Sequence, residues 1–410
     1  MASVTLINCL RARLDTRDPS IDEMNESELR VYAESFLKEN TSADDRDIKD
    51  AVAEVIGLGP IERLLADDTV SEIMVNSFEH IYVERAGKLE RAFEQFSNEA
   101  ALRRAIDKIV LPLGRHIDEA SPMVDARLPD GSRVNAVLAP LATKGSCLTI
   151  RKFTNKSLTI EDLVSGNSLT QQAADFLKFA VRCRQNIIVS GGTGTGKTTL
   201  LNVLSQEISE EERILTIEDA AELRLHHDNL ISLEARPKNQ EGVGAISIRE
   251  LVINALRMRP DRLVVGECRG PEALDMLQAM NTGHAGSLST VHANSARDAL
   301  RRLEIMVLMG GIELPVSALR QQIASAVDLV VQIARLPDGR RAVISINEVT
   351  GVDDDVLQMS ALFEYSSSQK SLVSNQVLCK FADDQREDIR EDIWRSIMEA
   401  GSCSPSLWYY

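Results

Sequence analysis

Ile187-Ile188-Val189-Ser190-Gly191-Gly192-Thr193-Gly194-Thr195-Gly196-Lys197-Thr198-Thr199-Leu200-Leu201 is the stretch that decides the fold. An apolar strand runs into a glycine loop, then Lys-Thr, then a helix that continues through Asn202-Val203-Leu204. That order of elements wraps nucleotide phosphates. The glycines let the backbone close around an anion where a Cβ would clash. Amides of the loop and of the helix start then face the phosphates. Lys197 adds a positive charge at the terminal phosphates, and the Thr198 hydroxyl suits Mg²⁺. Gly191, Gly192, Thr193, Gly194, Thr195, Gly196, Lys197, Thr198 and Thr199 are therefore the expected nucleotide contacts, with ATP and Mg²⁺ as ligands. A glycine-rich turn with a chance lysine is the bland alternative; the strand before it and the helix after it argue against that.

A chain of 410 residues exceeds what one ordinary core serves, so two or three domains are expected. No apolar run approaches the roughly 20 residues of a spanning helix. Arg11, Arg13 and Asp15 follow only a short apolar stretch, which is not a secretory pattern. The expectation is a cytoplasmic protein, free or held at the inner face of a membrane. Net charge is -16, from 46 basic and 62 acidic residues. That balance disfavours general nucleic-acid binding, which needs positive surface, although Arg257, Arg259, Arg262 and Arg269 offer one candidate basic patch. The six cysteines, Cys9, Cys147, Cys183, Cys268, Cys379 and Cys403, include no C-x-x-C pair, so neither a zinc knuckle nor a redox motif is expected.

Composition and periodicity divide the chain into five parts. Residues 1–56 are acidic, with apolar positions at helical spacing (Leu29, Tyr32, Ala33, Phe36, Leu37, then Ile48, Val52, Val55, Ile56). They read as a solvated amphipathic helix pair broken near Asn40-Thr41-Ser42. Residues 57–153 read as an α/β domain. Its strands are Ile73-Met74-Val75 and His80 to Glu84 around an Asn76-Ser77 turn, with a helix face of Leu102, Ile106, Ile109 and Val110. A hairpin turns at Pro129-Asp130-Gly131, and a strand covers 146–151. Residues 154–168 read as a polar linker. From 169 to 350, buried apolar strands alternate with helices, which argues for a largely parallel doubly wound sheet. Residues 351–410 are expected to be loops, a helix at 383–399 and a loose tail.

Ligands of such sheets bind at the carboxyl ends of the strands. Hydrolysis of a phosphoanhydride needs a metal holder, a group that orients water, and cations for developing charge. Glu267, after Val264-Val265-Gly266, is assigned as the water-orienting base on a strand neighbouring the loop. Glu218 and Asp219, after Ile217, are expected to hold Mg²⁺ through water or to orient the base; a helix N-cap pair is the alternative. His284 and His292 lack the spacing and third ligand of a zinc site, so they are weighed as γ-phosphate contacts against structural histidines. His226 and His227 receive the structural reading. Arg133 and Arg151, on adjacent expected strands, and Arg127 are candidate phosphate cations, against ordinary surface ion pairs. The string Arg127-Leu128-Pro129-Asp130-Gly131 recurs as Arg335-Leu336-Pro337-Asp338-Gly339, which marks it as turn chemistry.

Four boxes in this order resemble the secretion ATPases of type II and type IV secretion, type IV pili and archaella. They are GGTGTGKTT (191–199), TIEDAAEL (216–223), LRMRPDRLVVGECRG (256–270) and NTGHAGSLSTVHANSA (281–296). With ARLPDGSRVNA (126–136) and TIRKF (149–153), the chain is most similar to the tight-adherence pilus branch, the CpaF/TadA motors, over roughly residues 50–350. The resemblance implies a RecA-like P-loop NTPase core behind an α/β N-terminal domain. It also implies a homohexameric ring at the cytoplasmic face of an inner-membrane platform protein, driving pilus assembly and, in some members, retraction. It gives Glu267 as the Walker B acid, places Glu218, Asp219, His284 and His292 in the other two boxes, and matches Arg127, Arg133 and Arg151 to arginines that reach nucleotide. The four-cysteine zinc insertion of many type II members is absent. A conjugation-like type IV secretion ATPase is the nearest alternative. A RecA-like nucleic-acid translocase is disfavoured by the acidic charge and the lack of interleaved aromatic and basic residues.

Overall fold

The computed structural model describes residues 4–15, 21, 24–85, 87–153, 158–236, 238, 243–311, 314–375, 377 and 379. The chain divides into two compact units, Met1–Lys156 and Ser157–Tyr410.

The first unit begins with helices Val4–Leu14, Glu26–Asn40 and Asp45–Ile56. Asn25 and Glu28 form a capping box at the second, and Asp44 caps the third. The chain breaks between them at 41–44, close to the expected place. They are not a solvated pair, however. Leu6, Ile7 and Leu10 of the first helix close over Ala33, Leu37, Ile48, Ala51 and Val52 in one buried cluster. The helix Val4–Leu14 is only 11 residues long, at the lower edge of the window in which helical periodicity is read. Lys108 of the helix Glu99–Val110 donates to the Ile56 carbonyl, so these helices are tied to the helix that packs on the sheet that follows.

That sheet contains β1 (Val70–Ser77), β2 (His80–Arg85), β3 (Lys88–Arg91), β4 (Met123–Arg127), β5 (Arg133–Val137) and β6 (Cys147–Arg151). Its order is β3-β2-β1-β6-β5-β4, antiparallel throughout. Ser77 pairs with His80, so the first turn is Phe78-Glu79, two residues later than expected. The helix Glu99–Val110 buries Leu102, Ala105, Ile106 and Ile109 in one cluster with Ile73, Val134, Leu148 and Ile150. Asn98 caps its start.

The second unit opens with a helix, Ile160–Ser165, inside the stretch read as linker; Thr159 caps it and Ile160 is buried. Then come β7 (Ile187–Gly191), β8 (Ile214–Glu218), β9 (Leu230–Glu234), β10 (Arg262–Cys268), β11 (Leu288–His292), β12 (Leu329–Arg335), β13 (Arg341–Asp353), β14 (Val356–Ser366) and β15 (Ser371–Ser374). They form one sheet in the order β15-β14-β13-β12-β7-β11-β10-β8-β9. The six strands from β12 to β9 are parallel. β7, β8, β10 and β11 are buried almost end to end, which is why they read as unbroken apolar runs. Helices Gln171–Arg182 and Lys197–Ser205 pack into one core with Ile187 and Val189. Helices Glu272–Asn281, Ala296–Met309 and Val316–Ala326 pack into a second core with Ile188 on the other face.

Residues 351–374 correct the sequence reading. β13 runs through Gly351 to Asp353, and β14 and β15 extend the sheet by antiparallel pairing. Asp354 and Asp355, both at positive φ, form a two-residue hairpin turn. The helix expected at 383–399 and the tail lie outside the described residues. The repeated Arg-Leu-Pro-Asp-Gly string makes the same kind of turn twice, β4 to β5 and β12 to β13, with Gly131 at φ 90° and Gly339 at φ 89°.

Candidate active site

β7 delivers the glycine loop to the carboxyl edge of the parallel strands. A Cβ on Gly191 would lie 2.6 Å from the Ile333 carbonyl oxygen and 2.6 Å from Thr195 Oγ1. Gly194 and Gly196 sit at φ 69° and 98°, where side chains are strained. The helix Lys197–Ser205 starts on Gly196 with no side-chain cap; its first amides have no intrahelical acceptor and are open to an anion. Thr195 Oγ1 donates to Gly192 O at 2.9 Å, and Lys197 Nζ donates to the same oxygen at 3.0 Å. Lys197 thus lies across the loop, half-buried, and burial lowers its pKa against the opposing pull of Glu267. Positive φ, a lysine and a bare helix start make a cradle that fits a polyphosphate, and the Thr198 hydroxyl is the group there that would serve Mg²⁺.

Glu267 ends β10. β11 stands between β10 and β7, so this acid is two strand spacings from the loop, roughly 10 Å, rather than on the adjacent strand. Glu267 Oε2 accepts from Arg269 Nη2 at 2.7 Å, and Arg269 Nη1 lies 3.7 Å from Asp219 Oδ2. Glu218, at the end of β8, is 3% exposed. Its Oε1 accepts from the Glu222 amide at 2.8 Å and the Leu223 amide at 3.0 Å. Its stem packs where a Gly266 side chain would go, 2.9 Å from Cγ. Burial raises its pKa to about 7, against the lowering effect of the two amides. One Glu218 oxygen is thus committed to shaping the 219–223 loop. Among the described residues no group of three or more His, Cys, Asp or Glu side chains is placed to hold a metal ion. Cys268 is fully buried beside Met276 and Ser289, and burial pushes its thiol up to about 12, so it is no nucleophile.

The two histidines separate. His292 pairs in register with Gly191 and stands at the phosphate edge. His284 precedes β11 at the opposite edge, its carbonyl accepting from Ser287 Oγ at 2.7 Å. It does not share the site with Lys197 in one chain, because a residue before a parallel strand emerges at that strand's amino end. His227 contacts the Ser209 carbonyl oxygen at 2.9 Å, a structural role. The four-arginine patch also dissolves. Arg262 begins β10 with no exposed surface, held by Glu212, Gly286 O and Val181 O, whereas Arg269 lies beyond the far end of that strand.

In the first unit the register is informative. Arg127 pairs with Arg133, Arg133 with Arg151, and Arg151 with Glu72. Cross-strand partners share a face, so the three arginines form one row, on the side away from buried Val134, Ala136, Leu148 and Ile150. Like charges directly opposite are destabilising on their own. Arg151 Nε lies 3.7 Å from Glu72 Oε1.

Sequence reasoning passed over three neighbours of the site. Arg341 Cδ lies 3.6 Å from a Cβ built on Gly196. Thr290 Oγ1 donates to Gly266 O at 2.7 Å, tying β11 to the strand that carries Glu267. Glu272 Oε1 accepts from the amides of Arg269 and Gly270 at 2.7 and 2.8 Å. Glu272 is the first residue of its helix, after Pro271, and takes the two amides that precede it rather than capping the helix.

The model of the type II/IV secretion system protein family matches residues 54–393. A putative conjugal transfer protein of Mycobacterium tuberculosis is 40% identical over 299 residues, covering 72% of this chain and 84% of that one. The type IV secretion system protein VirB11 of Bartonella henselae is 32% identical over 319 residues, covering 68% and 88%. Among solved structures, the Legionella pneumophila ATPase DotB shares the fold, with TM-score 0.52 and 21% identity over 72% of this chain and 80% of that chain. No helix among the described residues is long and apolar enough to cross a membrane.

Proposed function

This chain belongs to the type II/IV secretion system protein family and is an ATPase of that family, and from that premise we propose that its hydrolysis cycle drives a membrane-seated machine that moves macromolecular subunits. The observation that carries the site assignment is the glycine cradle with Lys197 across it, facing the carboxyl edge where Glu267 and His292 also stand. Loop amides and Lys197 hold the phosphates, and Glu267 orients the attacking water, its distance from the loop leaving room for a phosphate and that water. Mg²⁺, bound through Thr198, supplies charge neutralisation at the phosphates. His292 contacts the terminal phosphate. Glu218 positions the 219–223 loop and Gly266. Arg127, Arg133 and Arg151, a cationic row on the sheet of the first unit, are the proposed phosphate cations.

The working assembly in this reading is a homohexamer at the cytoplasmic face of an inner-membrane platform protein. The boxes at 126–136 and 149–153 favour a tight-adherence pilus. A conjugation-type secretion system is the second reading, favoured by the conjugal-transfer and type IV secretion names of the similar proteins. The test is nucleotide binding and turnover by full-length variants. Lys197→Ala loses ATP binding, while Glu267→Gln binds ATP and fails to cleave it. Comparable turnover in wild type and Glu267→Gln removes Glu267 from the base role. Arg133→Ala and Arg151→Ala slow hydrolysis by up to about a thousandfold; unaltered rates in both return them to surface ion pairs.

A further inference from the structure

Arg269 is held in an unusual way. Its backbone is pinned, because its own amide and that of Gly270 both donate to Glu272 Oε1, and Glu272 is 6% exposed at the start of the helix Glu272–Asn281. Its side chain is not pinned: it is 61% exposed and divides itself between Glu267 at 2.7 Å and Asp219 at 3.7 Å. A fixed pivot thus carries a guanidinium that can leave one anion for another. The Glu267 carboxylate it occupies is the one that must be open to water for hydrolysis. Glu222 and Lys197 are the other charges felt in this corner.

We infer that Arg269 is a latch that exchanges carboxylate for phosphate: it covers Glu267 while the cradle is empty and moves to the terminal phosphate when ATP binds, uncovering Glu267 at that moment. The inference rests on the assignment of Glu267 as base. Its physical ground is that phosphate oxygens and carboxylates compete for the same planar guanidinium fork. ADP lacks the terminal phosphate and leaves the latch closed, so the empty and ADP-bound site is protected from idle chemistry. An inert surface ion pair of the same geometry would contribute little to binding either nucleotide.

The test is a double-mutant cycle on the full chain, with Mg-ATP and Mg-ADP affinities read by calorimetry for wild type, Arg269→Ala, Glu267→Gln and the double variant. Arg269→Ala cuts the preference for ATP over ADP by about tenfold, the scale of one charge-assisted hydrogen bond. Glu267→Gln, with the latch freed, tightens ATP by about fivefold, on the scale of a lost competing ion pair. That gain disappears in the double variant. Arg269→Lys, which keeps the charge without the fork, restores part of the preference. Additive effects in the cycle, or an unchanged ATP-to-ADP ratio in Arg269→Ala, overturn the latch and leave the nucleotide site intact. Failure of the wild type to bind ATP overturns the site itself along with the latch.

Discussion

Glu218→Gln isolates the energetic cost of a buried carboxylate beside the phosphate edge. Gln keeps an acceptor for the Glu222 and Leu223 amides and removes only the charge. In the folded chain Glu218 is displaced from 4.5 to about 7 by burial. The folded state therefore holds a proton that the unfolded chain releases above pH 4.5. Below 4.5 both states are protonated and the contribution to stability is constant. Between 4.5 and 7 stability falls as pH rises, and above 7 it is constant again. At about 1.4 kcal/mol per pH unit, the full loss is about 3 kcal/mol, of which about 2.5 kcal/mol falls between pH 5 and pH 8. Carboxylates remote from Glu218 titrate alike in the two proteins and cancel in their difference, leaving Glu218 with its coupled neighbours Glu222 and Glu234. Urea unfolding followed by hydrogen exchange of the β8 and β10 peptides reads the second unit alone. Wild type should lose that amount relative to Glu218→Gln on moving from pH 5 to pH 8. A difference independent of pH, or one that grows in favour of wild type with rising pH, refutes the reasoning.

Gly191→Ala places a methyl 2.6 Å from the Ile333 carbonyl; it should cost about 1–3 kcal/mol in urea unfolding and abolish ATP binding by calorimetry. Arg262→Met leaves Glu212 buried with, among the described residues, Arg184 at 2.9 Å as its remaining ion-pair partner. It should cost about 3–5 kcal/mol, while the double variant with Glu212→Leu recovers most of that in the same assay.

How much of this was legible depends on what each residue's neighbours reveal in one dimension. The cradle was, because glycines at 191, 194 and 196 answer a steric demand that few other residues meet. So were β7, β8, β10 and β11, since strands buried on both faces leave unbroken apolar runs. β14 was not. Gln358, Ser360 and Glu364 interrupt its apolar residues, and the polar runs at 353–355 and 366–368, read as loops, gave no sign that they join paired strands. His284 was misplaced because proximity in sequence to β11 does not say which end of the strand a residue occupies. Arg262 and Arg269 looked like one patch until β10, roughly 20 Å long, separated them. The row of Arg127, Arg133 and Arg151 needed a register across three strands, which spacing alone does not supply.

The most direct measurement is the electron density of the full chain soaked with a non-hydrolysable ATP analogue and Mg²⁺. The account predicts a triphosphate against the amides of residues 193–198, with Lys197 Nζ moved from Gly192 O onto phosphate. An analogue bound anywhere else, or a loop still closed by that lysine at saturating nucleotide, contradicts it.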